Sequence, residues 1–565
     1  MHEVITNNLD IWTSALLTKS TVGRGSNGKQ EAYGIKKLRE LILELAVRGK
    51  LVPQDPNDEL ASVLLERVLK ENTQLPKKRG RKRSENPDIT DGEISFELPP
   101  GWEYVRNGSL FSLRKGKKPN NISESQIGLP YLDIEALDRG NLLRFTDDDT
   151  CPRATEEDIL VVCDGSRSGL ILNGQNGVIG STLAVVDTPR EIQPFVKLLF
   201  MESYERLNST MKGAAIPHLD TNRLMLEIVG LPPLNEQHRI VAKVDELMAL
   251  CDQLEQQQTH SIEAHQTLVE ALLGTLTRVA SPQELTEAWT RIASHLDTLF
   301  TTEHSIDQLK QTILQLAVMG KLVPQDSSDE PASALLEMIV KEKLKKAKSG
   351  EIRSETLLTN VEVDDVPHEL PQGWVWVRLG DISVVERGGS PRPIKSYLTD
   401  ADDGLNWIKI GDTEKGGKYI TSTEEKIRKE GLIKTRLVYP GEFLLTNSMS
   451  YGRPYITKIK GCIHDGWLRI HPSENIEKDY LYHLLSSSYV AEFFKAVAAG
   501  AVVMNLNADK VRDLPIAIPP IAEQHRIVTK VDKLMSLCDA LKSRLQEAKL
   551  AQIQIADAVV EQVVA

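Results

Sequence analysis

The chain has 565 residues, 41% of them apolar and 26% charged, and a net charge of −12. That length is too great for one core and predicts about three to five domains or subdomains, in the composition range of an ordinary soluble protein. The absence of any run of 18 apolar residues and of a basic-then-apolar N-terminus predicts a cytoplasmic protein with no membrane segment, and the acidic balance argues against wrapping nucleic acid by bulk electrostatics while leaving a local basic surface open.

From its N-terminus the chain reads as a helix, a polar loop over Lys19–Gln30, and a strong helix through Ile35, Leu38, Leu41, Ile42, Leu45 and Ala46 that stops at Gly49, with Pro53 beyond it. The phrase Leu45-Ala-Val-Arg-Gly-Lys-Leu-Val-Pro-Gln-Asp55 returns as Leu316-Ala-Val-Met-Gly-Lys-Leu-Val-Pro-Gln-Asp326, and a short helix follows each copy, through Ala61–Glu66 and Ala332–Glu337. Leu9–Thr13 faintly matches Thr286–Thr290. A charged, structure-poor linker comes next in each half, Pro76–Ser84 and Lys341–Lys348. The Arg-Gly-Arg core of the first could enter a narrow groove, but a solvated tether accounts for both linkers. Each linker ends at a shared phrase, Glu97-Leu-Pro-Pro-Gly-Trp102 and Glu369-Leu-Pro-Gln-Gly-Trp374.

Residues 103–230 and 375–517 then stop matching closely. Strand-like runs occur at Tyr131–Ile134, Ile159–Val162 and Ser181–Val186 in the first, and at Trp407–Ile410, Phe443–Thr446 and Trp467–Ile470 in the second. Helix follows through Phe195–Met201 and Tyr480–Leu485. Each body is therefore expected to be an α+β domain of about 130 to 145 residues, a size one core supports.

Both bodies end in a second shared phrase, Leu231-Pro-Pro-Leu-Asn-Glu-Gln-His-Arg-Ile-Val241 and Ile518-Pro-Pro-Ile-Ala-Glu-Gln-His-Arg-Ile-Val528. The Pro-Pro pairs predict helices starting near Glu236 and Glu523 and running about 30 to 40 residues, about 45 to 60 Å. Asn235 can cap the first, whereas its counterpart Ala522 cannot. Apolar residues at spacings of four and three, Ile240, Val244, Leu247, Cys251, Leu254 and then Ile527, Val531, Leu534, Cys538, Leu541, Leu545, form seams that want a partner helix, so the two helices are expected to pack on each other. Two of the five cysteines lie in these seams; with Cys151, Cys163 and Cys462 they read as reduced, packed thiols, not as a zinc site or disulfide frame.

The order of shared phrases is unbroken over a unit of about 270 to 285 residues, which is a tandem duplication. The expected domains are a helical hairpin region over 1–75, a basic linker over 76–96, a body over 97–233, a long helix over 234–280, a second hairpin region over 281–340, a linker over 341–366, a body over 367–520 and a long helix over 521–565. Similar scaffolds with dissimilar bodies suit a ligand with two recognition points at a fixed spacing. Duplex DNA, at about 3.4 Å per base pair, is such a ligand, and a helix of about 45 Å could hold two readers roughly one helical turn apart.

The three doubled phrases together resemble the specificity subunit of type I restriction-modification systems over nearly the whole chain. The resemblance implies two target-recognition domains, each reading one half of a split double-stranded DNA sequence, with the two long helices packed as an antiparallel coiled coil that measures the unspecified gap. It also implies two modification subunits docked around those helices and two restriction subunits beyond them, with S-adenosylmethionine, ATP and Mg2+ used by these partners and no cofactor, metal or catalytic residue in this chain.

A reading domain needs Lys, Arg, Asn, Gln or Ser on loops that can enter a groove, with glycines that let backbone approach. In the first body the candidates are Lys115, Lys117, Lys118, Asn120, Ser166, Arg167, Asn173 and Gln175; in the second they are Arg387, Arg392, Lys395, Asn447, Ser448, Tyr451 and Arg453. A strand runs into the loop around Arg167 and another into that around Arg453, which suggests one shared job. His218-Leu-Asp-Thr-Asn-Arg223 and Asn505-Leu-Asn-Ala-Asp-Lys510 also correspond, and local capping explains their polar residues as readily as DNA contact does. Gly23-Arg-Gly-Ser-Asn-Gly28 fits a dinucleotide fingerprint, but no strand precedes it. Leu231 and Ile518 stand where an amino-methyltransferase loop would need an amide before Pro-Pro. Glu236 and Glu523, in a first helical turn, suit ion pairing or docking better than acid–base chemistry. The alternative function is a non-enzymatic scaffold whose two bodies bind protein.

Overall fold

The computed structural model describes residues 7–18, 30–74, 87–94, 96–209, 218–279, 281–350, 361, 366, 368–414, 416–447, 452–499 and 506–564. The Gly23–Gly28 motif and the basic stretch Lys77–Arg83 lie outside them. The chain divides into two compact units, one of residues 1–261 with 548–565 and one of residues 262–547. Among the described residues no helix is long and apolar enough to cross a membrane.

In the first unit a helix at Leu9–Ser14 precedes the hairpin helices Tyr33–Val47 and Ala61–Gln74; in the second, Pro282–Ala293 precedes Glu303–Val318 and Ala332–Lys348. The last of these corrects an expectation. Lys341–Lys348 is not a linker but the end of that helix, because three lysines in its last turn suit the negative end of the helix dipole.

The two bodies share one topology although their sequences diverge. In the first, one sheet orders Phe145–Thr146, Leu129–Leu132, Gly177–Ile179 and Arg153–Ala154, and the other orders Ser112–Lys115, Leu183–Asp187, Ile159–Val162 and Ile171–Asn173. The second body repeats both orders, with Glu425–Ile427, Leu405–Ile408, Gly461–Ile463 and Arg436–Val438 in one sheet. The other holds Ser383–Arg387, Trp467–Pro472, Phe443–Thr446 and Pro454–Thr457, extended by Tyr419–Ile420. A two-stranded antiparallel ladder closes each body where the chain enters and leaves it, Glu103–Arg106 with Ile228–Leu231 and Val375–Arg378 with Pro515–Ile518. Central strands such as Ile159–Val162 and Phe443–Thr446 are buried on both faces, so they read as unbroken apolar runs, not as alternation.

The long helices span Leu234–Arg278 and Ile521–Val564, 45 and 44 residues, about 66 Å each at 1.5 Å per residue. Both begin directly after Pro-Pro, two residues earlier than expected. Asn235 is therefore inside the first turn and is no cap, and the two starts are equivalent: Gln237 and Gln524 each return a side-chain hydrogen bond to the carbonyl of the first proline, at 2.9 and 3.0 Å. The seams are buried at Ile240, Val244, Leu247, Cys251, Ile527, Val531 and Cys538 and half-buried at Leu254, Leu534, Leu541 and Leu545, and each is covered by more than one partner. Ile240, Val244, Leu247 and Cys251 share a core with Leu38, Leu41 and Ile42 of a hairpin helix and with Ala556 near the end of the other long helix. Ile527, Val531 and Cys538 likewise share one with Leu309 and Ile313 and with Val269, Leu273 and Leu276. Ion pairs run along the same contacts, from Arg39 to Asp252 and Glu255 at 2.6 and 2.8 Å and from Lys542 to Glu303 and Asp307 at 3.3 and 3.4 Å. All five cysteines are buried and free, and burial pushes the thiols of Cys163, Cys251, Cys462 and Cys538 up to about 11.

Glu442 ties the second body's larger sheet together, accepting from Arg469, from the Tyr439 N–H at 2.8 Å and facing His471 at 3.5 Å. Burial raises its carboxyl, but the bonds from His471, Tyr439 and Arg469 outweigh this and hold it at about 2. A carboxylate depressed from its ordinary value contributes stability above that value, and the contribution is lost as pH falls from about 4.5 towards 2. Replacing Glu442 by Gln is therefore expected to cost on the order of 1–2 kcal/mol near pH 6, with the difference from wild type closing on acidification. Urea unfolding midpoints of both proteins between pH 6 and 3 check this, and a difference that stays constant with pH would contradict it.

Candidate nucleic-acid interface

In both bodies the chain leaves the first strand of one sheet and crosses the end of a strand in the other. The Lys117 N–H donates to Ile179 and the Gly389 N–H to Ile463, each at 3.2 Å. Gly116 and Gly388 make the crossing possible, since a Cβ at either position would collide with the carbonyl of Gly180 or His464. A second loop leaves Ile159–Val162 or Phe443–Thr446 and returns where Gly169 donates to Val162 (2.8 Å) or Gly452 to Thr446 (2.9 Å). A third segment docks on it through Leu219 N–H to Cys163 (2.7 Å) or Leu506 N–H to Asn447 (3.0 Å). The same three pieces of backbone thus meet at the same end of each body.

In the first body an acidic residue organises this end. Asp164 accepts from Lys115 at 3.1 Å and from His218 at 2.7 Å. Lys117 donates to Thr150 at 3.2 Å, Asn120 bonds Asp148 through backbone and side chain at 2.9 Å, and Arg167 pairs with Asp138. Bonds from Thr150 and the Asn120 N–H hold the Asp148 carboxyl well below the usual range. Lys118 and Ser166 are exposed. Asn173 and Gln175 do not join the cluster. Asn173 pairs with Ile159, at the far end of the strand whose other end carries the Asp164 loop, and its side chain accepts from Lys197 at 2.8 Å.

The second body uses Asp465 in the same capacity. Its carboxylate accepts from Ser390 at 2.6 Å and faces Arg392 at 3.4 Å, while its carbonyl accepts from Arg387 at 3.3 Å and from Asn447 at 2.8 Å. Asn447 is fully buried and braces the loop, so its side chain is not presented to a groove. Lys395 and Arg453 are exposed; Ser448 and Tyr451 lie outside the described residues. Because Gly169 and Gly452 occupy equivalent turns, Arg453 follows the turn that Arg167 precedes. The loops correspond, and the two arginines do not. Sequence reasoning passed over Asp164 as a working residue and Asp465 altogether, because it looked for donors and both act by holding donors in place.

The doubled phrases sit elsewhere, at the base of each body, and interlock. Glu236 accepts from the Trp102 indole and from Gln54, both at 3.1 Å; Glu523 accepts from Trp374 at 3.0 Å and Gln325 at 3.2 Å. Arg239 pairs with Asp58 at 2.7 Å and Arg526 with Asp329 at 2.6 Å. Gly49 and Gly320, at φ of 68° and 66°, lie so close to Pro99 and Trp102, or Pro371 and Trp374, that a side chain would displace them. Glu236 and Glu523 are thereby committed to structural bonds.

The family model described as Type I restriction modification DNA specificity domain matches residues 99–264 and 371–550. The chain is 37% identical to the Escherichia coli type I restriction enzyme EcoEI specificity subunit and 34% identical to the EcoAI specificity subunit of the same organism, over 99% of each chain in both cases. Among solved structures, a chain from a study of complex assembly and conformational transition of the type I R-M system is 19% identical, with a TM-score of 0.49 over 83% of this chain and 99% of that one.

Proposed function

The chain belongs to the DNA specificity subunits of type I restriction-modification systems, and from that premise we propose that it reads a bipartite target, one half-site per body, with the loops gathered around Asp164 and Asp465. The long helices pack as an antiparallel coiled coil that sets the gap between half-sites. Two modification subunits and two restriction subunits, working in the cytoplasm with S-adenosylmethionine, ATP and Mg2+, supply adenine methylation and cleavage, and this chain contributes none of that chemistry itself. The supporting observation is the contrast within each repeat. One topology brings the same three backbone segments together in both bodies, yet the side chains there differ, Lys115, Asp164 and His218 against Arg387, Arg392 and Asp465. Base edges are read by side chains and register is kept by backbone geometry, so this is the division of labour expected of two readers with different addresses.

Exchanging residues 103–230 for the corresponding body of another family member tests the reading. With the modification subunits present, selection from random duplexes is expected to return a split sequence in which only one half has changed. Enrichment of no split sequence by the unaltered protein, or a change in both halves after the exchange, would contradict it.

A further inference from the structure

The carboxylate of Asp164 is shared by two outward-facing side chains, Lys115 at 3.1 Å and His218 at 2.7 Å. Asp164 is itself largely covered, at 19% exposure, whereas Lys115 and His218 are 52% and 65% exposed. A covered acid holding two exposed partners fixes the direction of both, which a groove-reading surface needs and a solvated turn does not. Backbone geometry adds to this. His218 forms a bridge with Asp164, and the neighbouring Leu219 N–H donates to Cys163 at 2.7 Å, so the ring is anchored beside the loop that carries its acceptor. The remaining polar residues of that segment serve locally, Asp220 capping the helix Thr221–Leu226 through the Arg223 N–H at 3.0 Å.

The chemistry of the pair follows from which atoms are committed. Burial pushes the Asp164 carboxyl up, but the hydrogen bonds from His218 and Lys115 outweigh it and hold the group below the usual range, so the carboxylate is an acceptor only. The His218 bond is made through Nδ1. In the neutral imidazole Nδ1–H then donates to Asp164, and Nε2 points away with a lone pair, an acceptor. The Lys115 ammonium has further N–H groups beyond the one given to Asp164, all donors. One donor and one acceptor thus stand side by side on a single carboxylate.

We propose that Lys115 and His218, aligned by Asp164, form a two-point reader of adenine in the major groove of the first half-site, Lys115 donating to N7 and His218 Nε2 accepting from the N6 amino group. Adenine presents that acceptor–donor order there; guanine presents two acceptors, cytosine a donor and thymine an acceptor beside a methyl group. The inference rests on the bipartite reading above and assigns one base of one address to named atoms. Lys115 and His218 touch the base; Asp164 is a positioning residue.

The test is selection from random duplexes with the complete complex, comparing wild type with His218→Leu, Lys115→Met and Asp164→Asn. Wild type is expected to enrich a split sequence with an invariant adenine in the first half. His218→Leu should relax that one position at least tenfold, leaving the rest of the first half and all of the second unchanged, and His218→Gln, whose amide oxygen can accept, should recover part of the preference. Asp164→Asn should relax the same position. If wild type enriches a split sequence and the His218 and Lys115 variants weaken all sequences equally, the pair contacts phosphate and the proposal fails while the bipartite reading stands. If wild type enriches no split sequence, the bipartite reading fails first.

Discussion

Replacing Glu236 by Ala is expected to destabilise the first unit by about 2–4 kcal/mol, and Glu523→Ala to do the same in the second. Each carboxylate is about 1% exposed, and burial pushes both above the usual carboxylate range despite the bonds from tryptophan and glutamine. An isolated buried charge in that position would be costly. The two donors offset the cost, and removing the acid leaves the indole N–H with no acceptor and the carboxamide with backbone carbonyls alone, chiefly that of Gly49 or Gly320 at 2.7 Å, together with a void against Trp102 or Trp374. Glu→Gln keeps the shape but sets an amide against one of the donors, so it should cost less, about 1–2 kcal/mol. The pH dependence runs opposite to that of Glu442. A group whose carboxyl is raised on folding gains relative stability as pH falls, so the deficit of Glu236→Ala should not shrink through loss of an ion pair on mild acidification as that of Glu442→Gln does. Urea unfolding of the single variants measures these values, and a loss below about 0.5 kcal/mol in either unit would show that the interlock is not what holds body to helix.

The interlock explains why the duplication was legible. Leu45–Asp55, Trp102 and Glu236 lie far apart in sequence and match their counterparts closely because each phrase is shaped by the other two: Gly49 must make room for Trp102, Trp102 needs an acceptor, and Glu236 needs two donors. The bodies carry no such mutual constraint beyond their core. Their common sheet order was not visible in sequence because it depends on which residues are apolar and not on which apolar residue is present, and because strands such as Arg153–Ala154 and Phe145–Thr146 are two residues long, too short for any period. Reading Asn235 as a cap places the helix starts two residues late, whereas both helices begin directly after Pro-Pro and take Asn235 and Ala522 into the first turn. Choosing basic, glycine-rich loops selected Lys115, Lys117 and Arg387, which lie at the ends gathered around Asp164 and Asp465, together with Asn447, a buried brace, and Asn173, at the opposite end of its strand. Chain order alone does not say which end of a short strand a loop occupies; the ladder Ile159 to Asn173 does.

Lengthening both long helices is expected to change the gap in the target and neither half. The stretch after Leu254 is mostly exposed from Glu255 to Ala264, and the boundary between the two units falls within each long helix, near Ser261 and near Glu547, so residues added nearby spare the fully buried seam positions and cost only contacts next to the boundary, such as Glu255 with Arg39 and Lys542 with Glu303 and Asp307. Four residues are about 1.1 turns and lengthen a helix by about 6 Å, a little under two base pairs at about 3.4 Å each. If the helices form the proposed coiled coil, insertion of four residues after Leu254 and four after Leu541 should shift selected targets to a gap about two base pairs longer. Insertion in one helix alone puts the paired seams out of register and should lower affinity instead, because the a and d positions then meet polar residues. The outcome that counts against a measuring role is a doubly lengthened protein that selects the unaltered gap, since the two readers would then be positioned by something other than these helices.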